Sequence, residues 1–308
     1  MILCCGDALI DMMPIAPQPG TIAYVPKPGG AVLNTAVALG RLGAPVGLLT
    51  GVSHDMFGQQ LAAHISHSHV DTAHLLWSDR PTTLAFVQLV DGQASYCFYD
   101  ENSAGRMLDI ADIPALPNAV TTLFFGGISL ARDPASDCYA ALLEREAPTR
   151  VVMVDPNIRP DFIKDAARYR QRLDRMMAQA DIVKVSDEDL NWLFPAPQSD
   201  EQKVTRLLAL GPALVVVTRG DEGADGFMTN GTHIHIPAAP AKVVDTVGAG
   251  DTFNAGLLAK LSELNCLSKD QVKALPPKIL HTALNHGAKV AAKTVAREGA
   301  DPPWAEDL

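Results

Sequence analysis

Residues 244–253, Val-Asp-Thr-Val-Gly-Ala-Gly-Asp-Thr-Phe, set a carboxylate directly behind a glycine–alanine–glycine turn. An apolar helical spacing follows at once, in Phe253, Leu257, Leu258 and Leu261. The first N–H groups of a helix have no intrahelical partner, and the helix dipole favours an anion above them. Gly248, Ala249 and Gly250 keep bulky side chains away from that place, so a phosphate can approach the backbone. Asp251 then stands beside the anion as a base. An anion hole next to a base suits transfer of a phosphoryl group to a hydroxyl. A bare Gly-x-Gly would imply only a helix start with a dipole-complementing aspartate. The longer string, placed before a helical pattern, is the more specific signal.

Other residues could serve the same chemistry. Gly29-Gly30 opens a second helical pattern, residues 31–42, with Gly43 as its stop; Asn34 lies in its first turn, where the amide could reach a ligand hydroxyl. Asp11 ends the first apolar run, where an ordinary turn aspartate would be equally at home. Arg159, Lys184 and Arg219 fall in three separate polar clusters, Asp155–Arg159, Lys184–Ser186 and Thr218–Gly223. Each follows a strand pattern, and together they predict an anion-facing rim. His64, His67 and His69 predict a solvated helix face, and His233 with His235 a structural or exposed strand face, because neither group has the spacing of a metal site.

The elements that must hold these residues alternate. Strands are expected at Met1–Leu9, Val46–Val52, Thr121–Phe125, Val151–Val154, Ile182–Val185 and Ala213–Thr218. Amphipathic helices are expected between them, and a last long one over Gln271–Val295. Short apolar strands between helices mean a mostly parallel central sheet covered by helices on both faces, with ligands at the carboxyl ends of the strands. Two stretches break the rhythm. Residues 14–28 are proline-rich, with a short strand-like piece at Ile22–Val25, and Thr82–Val90 with Ala94–Tyr99 read as a hairpin turning at Asp91-Gly92. They predict a small β-sheet lid, inserted from about 12–28 and 81–104, on one α/β domain spanning 1–308. A lid of this kind keeps water from competing with the acceptor hydroxyl.

Composition narrows the classes. With 308 residues, 47% hydrophobic and 19% charged, the chain reads as a packed globular protein. A net charge of −10 argues against a general nucleic-acid binder. Five scattered cysteines, no basic leader and no apolar run of membrane length predict a cytoplasmic protein with no membrane partner. Gly6-Asp7-Ala8-Leu9-Ile10-Asp11 is not the glycine fingerprint of a dinucleotide-binding turn, and there is no Walker A lysine motif.

From Asp245 to Asp251 the chain resembles the Asp-Thr-x-Gly-Ala-Gly-Asp signature of PfkB (ribokinase-like) carbohydrate kinases. The Gly29-Gly30-x-x-x-Asn34 stretch, Gly6 to Asp11, Asp155-Pro156-Asn157-x-Arg159 and Arg297-x-Gly299-Ala300 extend the resemblance over nearly the whole chain. Arg80-Pro81-Thr82-Thr83 and the Ala300–Trp304 tail are similar to bacterial fructokinases. The resemblance implies a ribokinase-like fold and ATP-dependent phosphorylation of a sugar's primary hydroxyl, D-fructose at its 6-hydroxyl first, with 2-keto-3-deoxygluconate or a nucleoside as the alternative acceptor. A sensor that kept the fold would have lost Asp251 or the glycines. The implied roles are as follows: Asp251 is the base, and Gly248, Ala249 and Gly250 form the anion hole. Asp11, Gly29, Gly30, Asn34 and Arg159 hold the substrate, while Lys184, Thr218, Gly220, Gly223, Gly248 and Gly250 line the ATP site. Asp245 and the backbone of Val247 form a loop for a monovalent cation such as K⁺, and Mg²⁺ arrives with ATP. Lids in this family often pair across a homodimer. Two departures stand out. The family's Asn-x-x-Glu is here Ser186-Asp187-Glu188-Asp189, and Ala104-Gly105-Arg106 has glycine where related fructokinases often carry aspartate.

Overall fold

The computed structural model describes residues 1–18, 21–90 and 93–308. The expected Asp91-Gly92 turn lies outside the described residues. Among those described, nine strands form one sheet and four form another. The large sheet runs β13-β12-β11-β10-β9-β8-β1-β4-β5, from β1 (Ile2–Cys5), β4 (Val46–Ser53), β5 (Leu75–Ser78), β8 (Thr122–Gly126), β9 (Val151–Asp155), β10 (Ile182–Ser186), β11 (Leu214–Thr218), β12 (Ala224–Met228) and β13 (His233–Ile236). Neighbours from β11 across to β5 pair in parallel, whereas β12 and β13 are added antiparallel. The small sheet has the order β3-β2-β6-β7, from β2 (Leu9–Gln18), β3 (Thr21–Gly29), β6 (Leu84–Val90) and β7 (Gln93–Tyr99).

Strand side chains alternate, and the core divides accordingly. Ile2 and Cys4 point into one apolar cluster and Leu3 and Cys5 into the other. Leu214 and Val216 share the first, Val215 and Val217 the second. The first cluster lies under α1 (Ala31–Arg41), α2 (Met56–His67), α7 (Ala249–Glu263) and α9 (Pro277–Val295), with the short α8 (Lys269–Lys273) beside them. The second lies under α3 (Ala135–Glu146), α4 (Ala166–Gln179), α5 (Asp187–Leu193) and α6 (Asp200–Leu210). Central strands buried on both faces explain why their sequences are continuous apolar runs. Cys4 and Cys5 are fully buried and pack as small apolar residues, as expected.

The structure corrects several boundaries. The first apolar run is two strands in two sheets. β1 stops at Cys5, the chain bends through Gly6-Asp7-Ala8, and β2 pairs with β3 and β6 instead. The proline-rich stretch is strand along most of its described length, because β2 and β3 pair antiparallel from Leu9↔Gly29 to Ile15↔Ala23. β5, which the pattern had not suggested, adds a short parallel edge to β4. The last long helix is broken. α8 ends at Lys273 and α9 begins at Pro277, since Pro276 lacks an N–H and pushes Leu275 out of the helical region.

Candidate active site

The carboxyl ends of β1, β8, β9 and β10 face the start of α7, and most of the residues singled out from the sequence meet there. Gly248 is the N-cap of α7 with φ +78, a left-handed conformation that glycine adopts without steric cost. Thr252 N donates to Gly248 O at 2.9 Å and closes the first turn. The N–H groups of Gly250 and Asp251 therefore stand at a helix start, directed outward. A Cβ at Gly250 would lie 3.2 Å from Lys184 Nζ, so the lysine ammonium sits against this turn.

Asp251 is 7% exposed, and its carboxylate is gripped by amides from two other elements. Asn34 Nδ2 donates to Oδ2 at 2.9 Å and Asn157 Nδ2 to Oδ1 at 3.4 Å. Thr35 Oγ1 donates to the Asp251 main-chain carbonyl at 3.1 Å. Burial pushes its carboxyl up to about 6; the Asn34 bond and the charges of Lys184 and Arg159 pull the other way, while Asp155 adds to the rise. A buried carboxylate whose pKa is raised toward neutrality suits a proton acceptor.

Beneath the turn is a buried ion pair. Lys184 Nζ donates to Asp155 Oδ2 at 3.0 Å, and Asn254 Nδ2 donates to the same oxygen at 2.6 Å. Lys184 is 4% exposed and Asp155 1%. Burial works against the Lys184 charge, but Asp155, Asp189 and Asp251 outweigh it and raise its pKa. The ammonium remains charged below the anion turn.

The predicted cationic rim is not present as such. Lys184 is internal. Arg219 is tied to Asp225 at 3.0 Å and Asp200 at 2.6 Å. Arg159 is the member that stays near the turn, where its charge is felt by Asp251. His233 and His235 also bond Asp225, and no group of metal-ligating side chains is present among the described residues. Ser186 and Asp189 form a reciprocal cap on α5, and Asp189 Oδ1 also accepts from Ile158 N at 2.8 Å. Their polar atoms are thereby engaged in holding the β9 and β10 loops.

Asp11 faces the Gly29-Gly30 turn from the paired strand, and burial pushes its carboxyl up to about 6. Thr218 ends β11, and Gly220 and Gly223 shape the 3-10 turn after it, at the same edge of the sheet. The Asp245 turn is built from two sides. Its Oδ1 accepts from Val247 N at 3.0 Å and its Oδ2 from Gly299 N at 2.9 Å, while Val244 N donates to Val295 O at 2.8 Å. Arg41 Nη1 then holds the tail through Asp301 Oδ1 at 2.6 Å.

Sequence reasoning left three contributors out of the site: Asp7, Thr35 and Asn254. It also left Asp155 and Asn157 in a loop motif without a role. Asn157 has φ +43, an unusual value for a side-chain-bearing residue, and the Asp-Pro-Asn string was its only signal.

The fold is an α/β one, with a glycine turn at a helix start and a buried carboxylate at the carboxyl edge of a mostly parallel sheet. The chain belongs to the pfkB family of carbohydrate kinases, whose family pattern matches residues 1–307. It is 49% identical over 280 residues to a fructokinase of Rhizobium leguminosarum bv. trifolii, covering 91% of this chain and 85% of that one. A solved fructokinase from Xylella fastidiosa with bound ATP has a TM-score of 0.87 at 28% identity, over 97% of this chain and 93% of that one. A Vibrio cholerae O395 fructokinase in a fructose-, ADP- and calcium-bound form has a TM-score of 0.83 at 28% identity, over 97% and 94%.

Proposed function

We propose that this protein transfers the γ-phosphate of ATP to the 6-hydroxyl of D-fructose, giving fructose 6-phosphate and ADP. The single observation that carries the mechanism is Asp251, buried at the first turn of α7 with Lys184 below the adjacent Gly250. The acceptor identity is supported by the fructokinase relatives.

In this reading Asp251 takes the proton from the acceptor hydroxyl as its oxygen bonds to phosphorus and the bond to the ADP oxygen breaks. The N–H groups at Gly248, Gly250 and Asp251 hold the charge on the transferring group, the Ala249 N–H being engaged by Thr246 O at 3.3 Å, and Lys184 adds a fixed positive charge below them. Asp11, Gly29, Gly30 and Asn34 line the acceptor side, with Arg159 at its rim. Thr218, Gly220 and Gly223 lie along the nucleotide side. Mg²⁺ entering with ATP would neutralise phosphate charge. The Asp245 carboxylate and the Val247 carbonyl are an all-oxygen donor set that suits K⁺, and they would hold it behind the anion turn. The small sheet acts as the lid of a single domain. Its edge strands expose Ile22 and Tyr99, at 70% and 59%, as a surface through which two copies pair. No helix among the described residues is long and apolar enough to cross a membrane. The free cysteines fit a reducing cytoplasm.

The test is ADP release from Mg·ATP, with K⁺ present, against fructose, glucose, ribose, adenosine and 2-keto-3-deoxygluconate. Turnover with fructose is expected. Turnover with another member and none with fructose would overturn the acceptor while leaving the chemistry.

A further inference from the structure

Asp7 is a half-buried acid that this mechanism leaves without a task. It lies in the link between β1 and β2, outside both ladders. Its Oδ2 accepts from Ala31 N at 2.8 Å, and its main-chain carbonyl accepts from Leu33 N at 3.1 Å. Both donors belong to the first turn of α1, whose N-cap is Gly30, a residue with no side chain to cap with. Asp7 therefore performs from 24 residues away the capping that serine or aspartate normally performs locally. Its position is tightly fixed. A Cβ at Gly30 would come within 2.8 Å of Oδ2, and a Cβ at Gly127, just past β8, would collide with Oδ1. The first turn of α1 in turn carries Asn34 and Thr35, which bond the side chain and the main chain of Asp251. One line of contacts thus runs from the ends of β1 and β8, through Asp7 and the α1 turn, to Asp251.

We propose that Asp7 is a positioning residue for the catalytic base: it fixes the first turn of α1 against the core sheet, so that Asn34 holds the Asp251 carboxylate toward the acceptor hydroxyl. This rests on the reading of Asp251 as the base. Asp7 Oδ1 is buried without a hydrogen-bond partner, and burial, with the charges of Asp251 and Asp11 beside it, pushes the carboxyl up to about 7. An asparagine at position 7 keeps the oxygen that Ala31 N needs.

The experiment is a double-mutant cycle on kcat with Mg·ATP and the acceptor found active in the panel. Asp7→Ala and Asn34→Ala are each expected to lower kcat about 10- to 100-fold, the scale of a catalytic group displaced by about 1 Å, with the KM for ATP changed less than about twofold. Because both act along one line, the double variant should be slowed little beyond the slower single variant, instead of by the product. Asp7→Asn should restore most of the lost kcat. Multiplying effects, an unimpaired Asp7→Ala enzyme, or a loss carried in the KM for ATP would each overturn the proposal. If Asp7→Ala does not fold by circular dichroism, Asp7→Ser takes its place in the cycle. Asp251→Asn is measured alongside. Wild-type turnover there removes the base reading and the positioning role with it, whereas a dead Asp251→Asn with multiplying Asp7 and Asn34 effects refutes the positioning role alone.

Discussion

Replacing Asp251 by asparagine should destroy turnover and stabilise the protein, and the size of the second effect follows from the site. Burial raises the carboxyl from an ordinary 3.8 to about 6. For an acid whose folded pKa is raised, the stabilising contribution is complete below the unfolded value. It is lost as pH rises through the folded value. Above pH 6 the ionised Asp251 thus costs the native state up to about 3 kcal/mol, at about 1.36 kcal/mol per pH unit. An amide at this position removes the titration. It also turns an NH₂ toward Asn34 or Asn157, which now donate to the carboxylate, so the net gain is below that ceiling. At about 2 °C per kcal/mol for a chain of this size, the variant should melt about 2–6 °C above wild type at pH 8. The difference should shrink toward zero by about pH 4. The assay is thermal unfolding by circular dichroism at half-unit steps from pH 4 to pH 8.5, with kcat falling about 10²–10⁴-fold as expected for loss of a general base. A variant that melts at or below wild type at pH 8, with a gap independent of pH, would refute the account of Asp251 as a buried, costly anion.

Other perturbations test neighbouring contacts. Asn34→Leu removes the donor that favours the charged form of Asp251, so the acidic limb of kcat/KM should move up from about pH 6; an unmoved limb would refute the contact. Lys184→Met leaves Asp155 buried without its counter-charge and should destabilise the protein by about 3–5 kcal/mol, measured by urea unfolding. Gly250→Ala puts a methyl group against the Lys184 ammonium and at the mouth of the anion turn. It should cut kcat about 100-fold with a modest change in melting temperature, as when one anion-hole donor is lost.

The sequence made the sheet legible because each central strand is buried on both faces, so Val151–Val154 or Ala213–Thr218 could be read as runs without alternation. It made the anion turn legible because glycines, base and helix onset are contiguous. What it concealed is contact between distant segments. Nothing local in Gly6-Asp7-Ala8 shows that the chain leaves one sheet there for another, or that the Asp7 carboxyl caps α1. Lys184 looked like a rim cation because its strand ends nearby, but strand alternation turns it inward to Asp155. Arg219 looked alike and is held by Asp225, whose placement depends on the antiparallel β12. The break at Pro276-Pro277 was written plainly, and the apolar periodicity on both sides of it hid it.

The Asp245 turn has a consequence for the order in which the protein can be made. Its carboxylate is completed by the N–H of Gly299, and Asp251 six residues further on is held by Asn34 and Asn157. During synthesis the sheet can assemble strand by strand as it emerges, because β4 and β8 to β11 each find an earlier strand to pair with. The catalytic corner cannot. Asn34 waits for Asp251, and Asp251's own loop waits for Gly299 to clear the ribosome. A nascent chain therefore carries a nearly finished scaffold with an unfinished reaction centre. With Asp251 as the base, phosphoryl transfer becomes possible only once this last stretch has been delivered.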